Sequence, residues 1–154
     1  MNRKNVYERL KELGISLPAS AAPAAAYVMA AQSGNLVHLS GHIAKKDGIA
    51  WTGKLGSTLT TEDGRAAARS VAIDLLASLH AHTADLNKIR RIVKVVSMVN
   101  SAPDFTEQHL VTNGASELLA EVFGDSGRHA RSAVGVAQLP LGVCVEIELI
   151  AEVE

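Results

Sequence analysis

Aromatic side chains are scarce in this chain: one Trp, two Tyr and two Phe, 3% of 154 residues. A core with so few rings has to be built from Val, Ile, Leu and Ala, whose small side chains let helices approach a sheet closely. Cysteine is nearly absent. Cys144 stands alone, which excludes an intrachain disulfide framework and makes a cytoplasmic setting natural. An excess of charge of one sign is also missing. With 15 Lys and Arg against 16 Asp and Glu there is no bulk field to hold a polyanion, so nucleic acid is not an expected partner. No apolar run approaches the roughly 20 residues that span a bilayer. The opening MNRKNVYERL lacks a signal-peptide core, so neither membrane insertion nor secretion is expected. The length suits one domain.

Within that frame the elements can be read in order. Val6, Leu10 and Leu13 recur at helical spacing over residues 3–13, with Gly14 as a stop, predicting a short amphipathic helix on the outside. The alanine-rich stretch 18–26, with Pro18 and Pro23, predicts an extended connector. Short β-prone runs at 27–31, 36–43 and 49–51, separated by Ser33-Gly34-Asn35 and Lys46-Asp47-Gly48 turns, predict three antiparallel strands. Thr60 or Thr61 can cap a helix over about 62–81, with Asp63 in the capping-box position and Ala67, Val71, Leu75 and Leu79 as the buried stripe. Residues 89–99 are apolar on both faces apart from Arg90, Arg91, Lys94 and Ser97, as in a strand deep within a sheet. Asp104 is placed to cap a second long helix reaching about Phe123. Leu110, Leu118, Leu119 and Val122 form its inner side, and Asn113-Gly114 is its weak point.

The last quarter of the chain sets charges into apolar strands. Val143, Val145, Ile147 and Leu149 alternate with Cys144, Glu146 and Glu148, so two carboxylates share one face roughly 7 Å apart. Arg131 opens the preceding strand, and Leu139-Pro140-Leu141-Gly142 between them is turn chemistry, predicting a hairpin that brings Arg131 toward Glu146. The order β-β-β-α-β-α-β-β gives an α+β fold with one mixed six-stranded sheet and two long helices on a single face. Its other face has no helical layer and should be buried against other subunits. Residues 1–26 then form a helix and connector, and 27–154 the domain proper.

Tyr27-Val28, Ser33-Gly34-Asn35-Leu36-Val37 and Ser40-Gly41 near the start, with Ala130-Arg131-Ser132, Leu139-Pro140 and Val145-Glu146-Ile147-Glu148 near the end, resemble the Rid family, also called YjgF or L-PSP. The likeness spans about 27–154 and leaves the helix and connector as an elaboration of one branch. It implies a chorismate-mutase-like fold, a homotrimer, and sites in clefts between subunits. It further implies that Arg131 grips the carboxylate of a small 2-imino or enamino acid while Glu146 orients or activates water. A 2-oxo acid and ammonia would leave, with no metal or organic cofactor. A guanidinium suits the first role, since its parallel donors match a carboxylate two-to-two and its charge persists at any relevant pH. Tyr27 would close the pocket from a neighbouring subunit, backbone groups near Gly41 and Ala133 would add hydrogen bonds, and Asn113 is the counterpart of a family asparagine. Three departures stand out: His129 where Pro or Ala is usual, Ala133 where Cys is frequent, and His42 where many members carry Gln.

Blander readings stand beside these. Arg131 could be an interfacial or solvated ion-pair partner, Glu146 its companion across the hairpin, and Glu148 a structural or solvated charge. A trimeric small-carboxylate-binding protein without turnover is the alternative function. RNA cleavage, from which the L-PSP name derives, is a third, disfavoured by neutral charge and scarce aromatics. The six histidines form no metal motif, because His80 and His82 diverge on a helix while His38 and His42 lie four apart on a strand. They are read as surface or polar-core residues, with His42 and His129 placed to line the cleft. Cys144 is read as a small buried residue rather than a nucleophile.

Overall fold

The computed structural model describes residues 4–154. The side chain of Asn5 accepts from the Tyr7 N–H and opens helix α1 (Val6–Glu12), whose Val6 and Leu10 are buried. Gly14 stops it at φ +69°, a left-handed conformation that glycine adopts without strain. The connector follows without regular structure. Strand β1 (Ala30–Ser33) begins at Ala30 rather than Tyr27, because Tyr27 lies in a turn with its N–H on the Ala25 carbonyl. It pairs antiparallel with β2 (Leu36–Ile43).

The third expected strand does not join the sheet. β3 (Lys45–Lys46) and β4 (Ile49–Ala50) make a separate two-stranded hairpin around Asp47 and Gly48, both at positive φ. Two residues a side are too few to extend a ladder, so the main sheet has five strands where six were expected.

Helix α2 (Thr61–Thr83) opens with the capping box read from the sequence. Thr60 Oγ1 accepts from the Asp63 N–H at 3.2 Å, and the Asp63 carboxylate accepts from the Thr60 N–H at 2.9 Å. Its stripe of Ala67, Val71, Leu75 and Leu79 is wholly buried. Strand β5 (Ile89–Asn100) is an interior strand. Helix α3 (Gln108–Phe123) starts later than an Asp104 cap predicts, because residues 102–105 are spent in a turn. There the Phe105 N–H donates to Ala102 O, and the Ala102 N–H donates to Leu55 O. The later start turns Val111, Ala115, Leu118, Leu119 and Val122 inward and leaves Leu110 partly exposed. Gly114 is not a weak point. A Cβ there would lie 2.0 Å from the Arg65 carbonyl oxygen, so glycine lets α2 and α3 meet backbone to backbone.

Strands β6 (Ala130–Val136) and β7 (Val145–Val153) complete the sheet in the order β1-β2-β7-β5-β6. β5 and β6 are parallel, and the other pairs are antiparallel. The expected β6–β7 hairpin therefore does not form. β5, α3 and β6 make a strand–helix–strand crossover that lays β6 beside β5, and β7 takes the opposite edge of β5. The 137–144 connection crosses the end of β5, where the Asn100 N–H donates to Cys144 O and the Ser101 N–H to Val136 O.

Both long helices lie on one face, over Val37 and Leu39 of β2, Val95 and Val99 of β5, and Val145, Ile147 and Leu149 of β7. The other face carries the row Ile43, Glu146, Met98 and Val134 across four strands, with Val134 47% exposed. No described helix is long and apolar enough to cross a membrane.

Candidate functional site

On the helix-free face a cleft of about 710 Å³ is bounded by the connector, β2, β7 and the Pro140-Leu141 turn. Its shape comes from an irregularity in β2. Leu39 pairs with Leu149 but His42 with Ile147, so the strand bulges at Ser40-Gly41 and its alternation is reset. His42 then turns into the core while Gly41 comes against Glu146. A Cβ on Gly41 would lie 3.0 Å from Glu146 Cδ and Oε1, so the carboxylate rests directly against the bare backbone of β2. Tyr27 lines the same cleft, as do the connector alanines Ala21, Ala22, Ala24 and Ala25. The connector is tied to α2 by a 3.2 Å hydrogen bond between Ser20 Oγ and Ser78 Oγ.

Burial raises the pKa of Glu146 above the usual carboxylate range, and the neighbouring charge of Glu148 raises it further. A carboxyl so placed can take and return a proton nearer neutrality. His42, 3% exposed, fits the polar-core reading: Nδ1 donates to Ser40 O at 2.7 Å, leaving Nε2 to accept from Ser78 Oγ at 2.6 Å. Burial lowers its pKa. Asp74, raised by burial, and Lys45 face each other at 3.8 Å along the same wall. Among the described residues no three His, Cys, Asp or Glu side chains converge as metal ligands. Cys144 is fully buried with its thiol pushed up to about 11, as a small core residue should be.

Arg131 lies elsewhere. Its partner across β5 is Val95, a core residue, so its side chain leaves β6 on the helix face. There Nη1 donates to Ser116 Oγ at 3.1 Å and Nη2 to the His109 carbonyl at 2.9 Å. Among the described residues no carboxylate stands within ion-pair distance of it. Glu117, whose charge acts on Arg131 from α3, is instead bridged to Arg65 at 2.8 Å. The guanidinium is half-buried, and its pKa is lowered by burial, with Glu117 opposing. Ala133 follows on the same face of β6, and Asn113 lies on the α3 stripe of His109 and Ser116.

The sequence-named residues thus fall into two groups. Tyr27, Gly41 and Glu146 line the cleft, while Arg131, Ala133 and Asn113 gather where β6 meets α3. Arg131 pairs with Val95 and Glu146 with Met98, which puts their backbones about 14 Å apart, on opposite faces. The expected approach of Arg131 to Glu146 within one chain does not occur. Missed from the sequence were the connector as a cleft wall, the Lys45–Asp74 pair and the Ser116 contact to Arg131; only the positive charge on Lys45 beside a turn hinted at any of them.

A family model described as Endoribonuclease L-PSP matches residues 18–153. The chain belongs to that family. The L-PSP match takes in the connector as well as the sheet and helices. Over 149 residues the chain is 50% identical to Protein TCP17 of Trypanosoma cruzi, covering 96% of this chain and 93% of that one. Among solved structures it is similar to Atu1372 of Agrobacterium tumefaciens, a protein of unknown function. That match has 46% identity and a TM-score of 0.90, and covers 97% of this chain and 92% of the other. Yeast Mmf1 is more distant, at 27% identity and a TM-score of 0.62 over 88% of this chain and 94% of its own. The mixed sheet under two long helices is the fold of this family.

Proposed function

We propose that this L-PSP chain hydrolyses small 2-imino or 2-enamino acids to 2-oxo acids and ammonia, without a cofactor. The sites would lie in clefts formed where copies of the chain close into a ring of three. The observation that carries the reading is Arg131: a half-buried guanidinium with two neutral hydrogen-bond partners and, among the described residues, no carboxylate within ion-pair distance is held ready for an external anion. A neighbour that lays its β6 edge on the helix-free face would bring this cation to Glu146, and would cover the apolar row of Ile43, Met98 and Val134.

Chemically, the substrate carboxylate pairs with Arg131 and leaves the imine carbon facing Glu146. The Glu146 carboxylate accepts a proton as water adds to that carbon. It returns that proton to the nitrogen to give a carbinolamine, then takes the hydroxyl proton and delivers it to the amine as the carbon–nitrogen bond breaks, so that ammonia leaves and a carbonyl remains. The raised pKa of Glu146 suits both halves of this transfer. The neighbouring carboxylates Glu146 and Glu148, with Asp74 already paired to Lys45, disfavour a polyanion such as RNA in the same cleft.

The test is release of 2-oxo acid from a freshly generated 2-imino acid, with Arg131→Ala and Glu146→Ala each inactive. Mixing the two inactive chains and allowing subunits to exchange should restore about a quarter of wild-type activity, since a random ring joins intact halves at one interface in four. No restoration after proven exchange would refute the two-chain site. A wild type inert toward a panel of imino acids would refute the hydrolase reading.

A further inference from the structure

With the His129 ring neutral, the hydrogen bonds behind Arg131 run in one direction. Gly127 O can only accept, so the His129 nitrogen 2.7 Å from it, Nδ1, carries the hydrogen. In the neutral ring Nε2 is then an acceptor, and the hydroxyl 2.9 Å away, Ser116 Oγ, must donate to it. With its proton committed to His129, the Ser116 oxygen turns its lone pairs to Arg131 Nη1 at 3.1 Å. A serine within a helix commonly gives its proton to the carbonyl one turn back. Here that proton goes to the imidazole instead.

Resting on the carboxylate-binding reading of Arg131, we propose that Ser116 and His129 are positioning residues: their chain Gly127 O, His129, Ser116, Arg131 fixes the plane of the guanidinium that receives a 2-imino or 2-oxo acid. Among the described residues two of the five guanidinium hydrogens are used, by Ser116 and by His109 O, which leaves three for the ligand. The neutrality the chain requires is supported by the surroundings of the ring. Burial lowers the His129 pKa most, and the charge of Arg131 lowers it further, against the opposing Gly127 carbonyl. Glu117, the anion on α3 whose charge acts on Arg131, is held by Arg65 of α2. Nothing in this arrangement touches the reacting carbon, so its effect must fall on binding rather than on the chemical step.

The experiment measures KM and kcat for an imino acid, and Kd for pyruvate as an unreactive probe, in Ser116→Ala, Ser116→Thr, His129→Phe and Arg131→Ala. Ser116→Ala and His129→Phe should each raise KM and Kd about tenfold with kcat within twofold, while Ser116→Thr, which keeps the hydroxyl, should stay near wild type. Nitrogen NMR of the folded chain should show His129 with Nδ1 protonated and Nε2 bare. The positioning role is overturned if Arg131→Ala loses pyruvate but Ser116→Ala binds it as wild type does, or if Nε2 carries the proton. A wild type that binds no 2-oxo acid overturns this proposal and the reading beneath it together.

Discussion

Replacing Gly41 by alanine adds one methyl group at the point where β2 meets the Glu146 carboxylate. The added Cβ would start 3.0 Å from Glu146 Cδ and Oε1, where an ordinary contact begins near 3.4 Å, so the carboxylate must retreat by about 0.4 Å. Gly41 is not at positive φ, and the group that yields is the tip of a flexible side chain, so the fold has little to lose. Relief of unfolded-state entropy contributes about 0.4–1 kcal/mol in the other direction, and the melting midpoint should move by less than about 4 °C. Catalysis is less forgiving. If a misplacement of 1 Å costs on the order of a hundredfold, 0.4 Å costs roughly five- to tenfold, in kcat and not in KM, because the carboxylate-binding half of the site is untouched. The methyl also desolvates Glu146 further, so the acid limb of the pH–rate profile should move upward. Steady-state kinetics on imino acid across pH, beside thermal melts of the same preparation, measures all three quantities. An unchanged kcat with unchanged stability would refute the assignment of Glu146 as the proton-transferring group. A raised KM alone would make it a binding contact instead.

Two other substitutions probe the frame that holds the site. Gly114→Ala should destabilise the chain by about 3 kcal/mol or more, because the new Cβ meets the rigid Arg65 carbonyl at 2.0 Å. Gly64→Ala, which meets only the methyl tips of Val111 and Leu55, should cost distinctly less, and urea titrations with unchanged slope would rank the two. His42, whose folded pKa is depressed by burial, contributes stability that is complete above the ordinary histidine range and is lost as pH falls through the depressed value. His42→Gln should therefore flatten the acid side of the stability curve, and an unchanged slope would remove His42 as its cause.

What the sequence disclosed was whatever local pattern determines. The α2 capping box, the alternation of β7 and the Gly14 stop are set by neighbours within four residues, and each is where its pattern predicts. What stayed hidden depends on residues far apart in the chain. The placing of β5 between β6 and β7 follows from the crossover through α3, which no turn motif near Pro140 reveals. The role of Gly114 depends on a carbonyl in another helix, so an apparent helix-breaker proved to be a contact point. The late start of α3 was set by the Leu55–Ala102 hydrogen bond rather than by the capping chemistry of Asp104. The site divides along the same line. Motifs named Arg131, Glu146, Tyr27 and Gly41, but spacing within the motif implied a hairpin contact that the strand order forbids, and Ser116 carries no sequence mark of its contact to Arg131.

The single chain therefore carries two unresolved costs on opposite faces: a half-buried cation with no carboxylate at ion-pair distance among the described residues, and a desolvated carboxylate in a partly exposed apolar row. Neither is relieved by repacking within the chain, since about 14 Å and the thickness of the sheet separate them. On the proposed reading both are relieved in one event, when a neighbour covers the row and an acid bridges its arginine to this glutamate. Ligand and neighbour then favour the same assembled state, and their effects must be reciprocal: whatever factor the assembly adds to the affinity for a 2-oxo acid, the acid adds to the affinity between chains. A weak ligand can by this route strengthen the ring that binds it, which gives a functional reason for holding a half-buried arginine out of ion-pair distance of its own chain's carboxylates among the described residues.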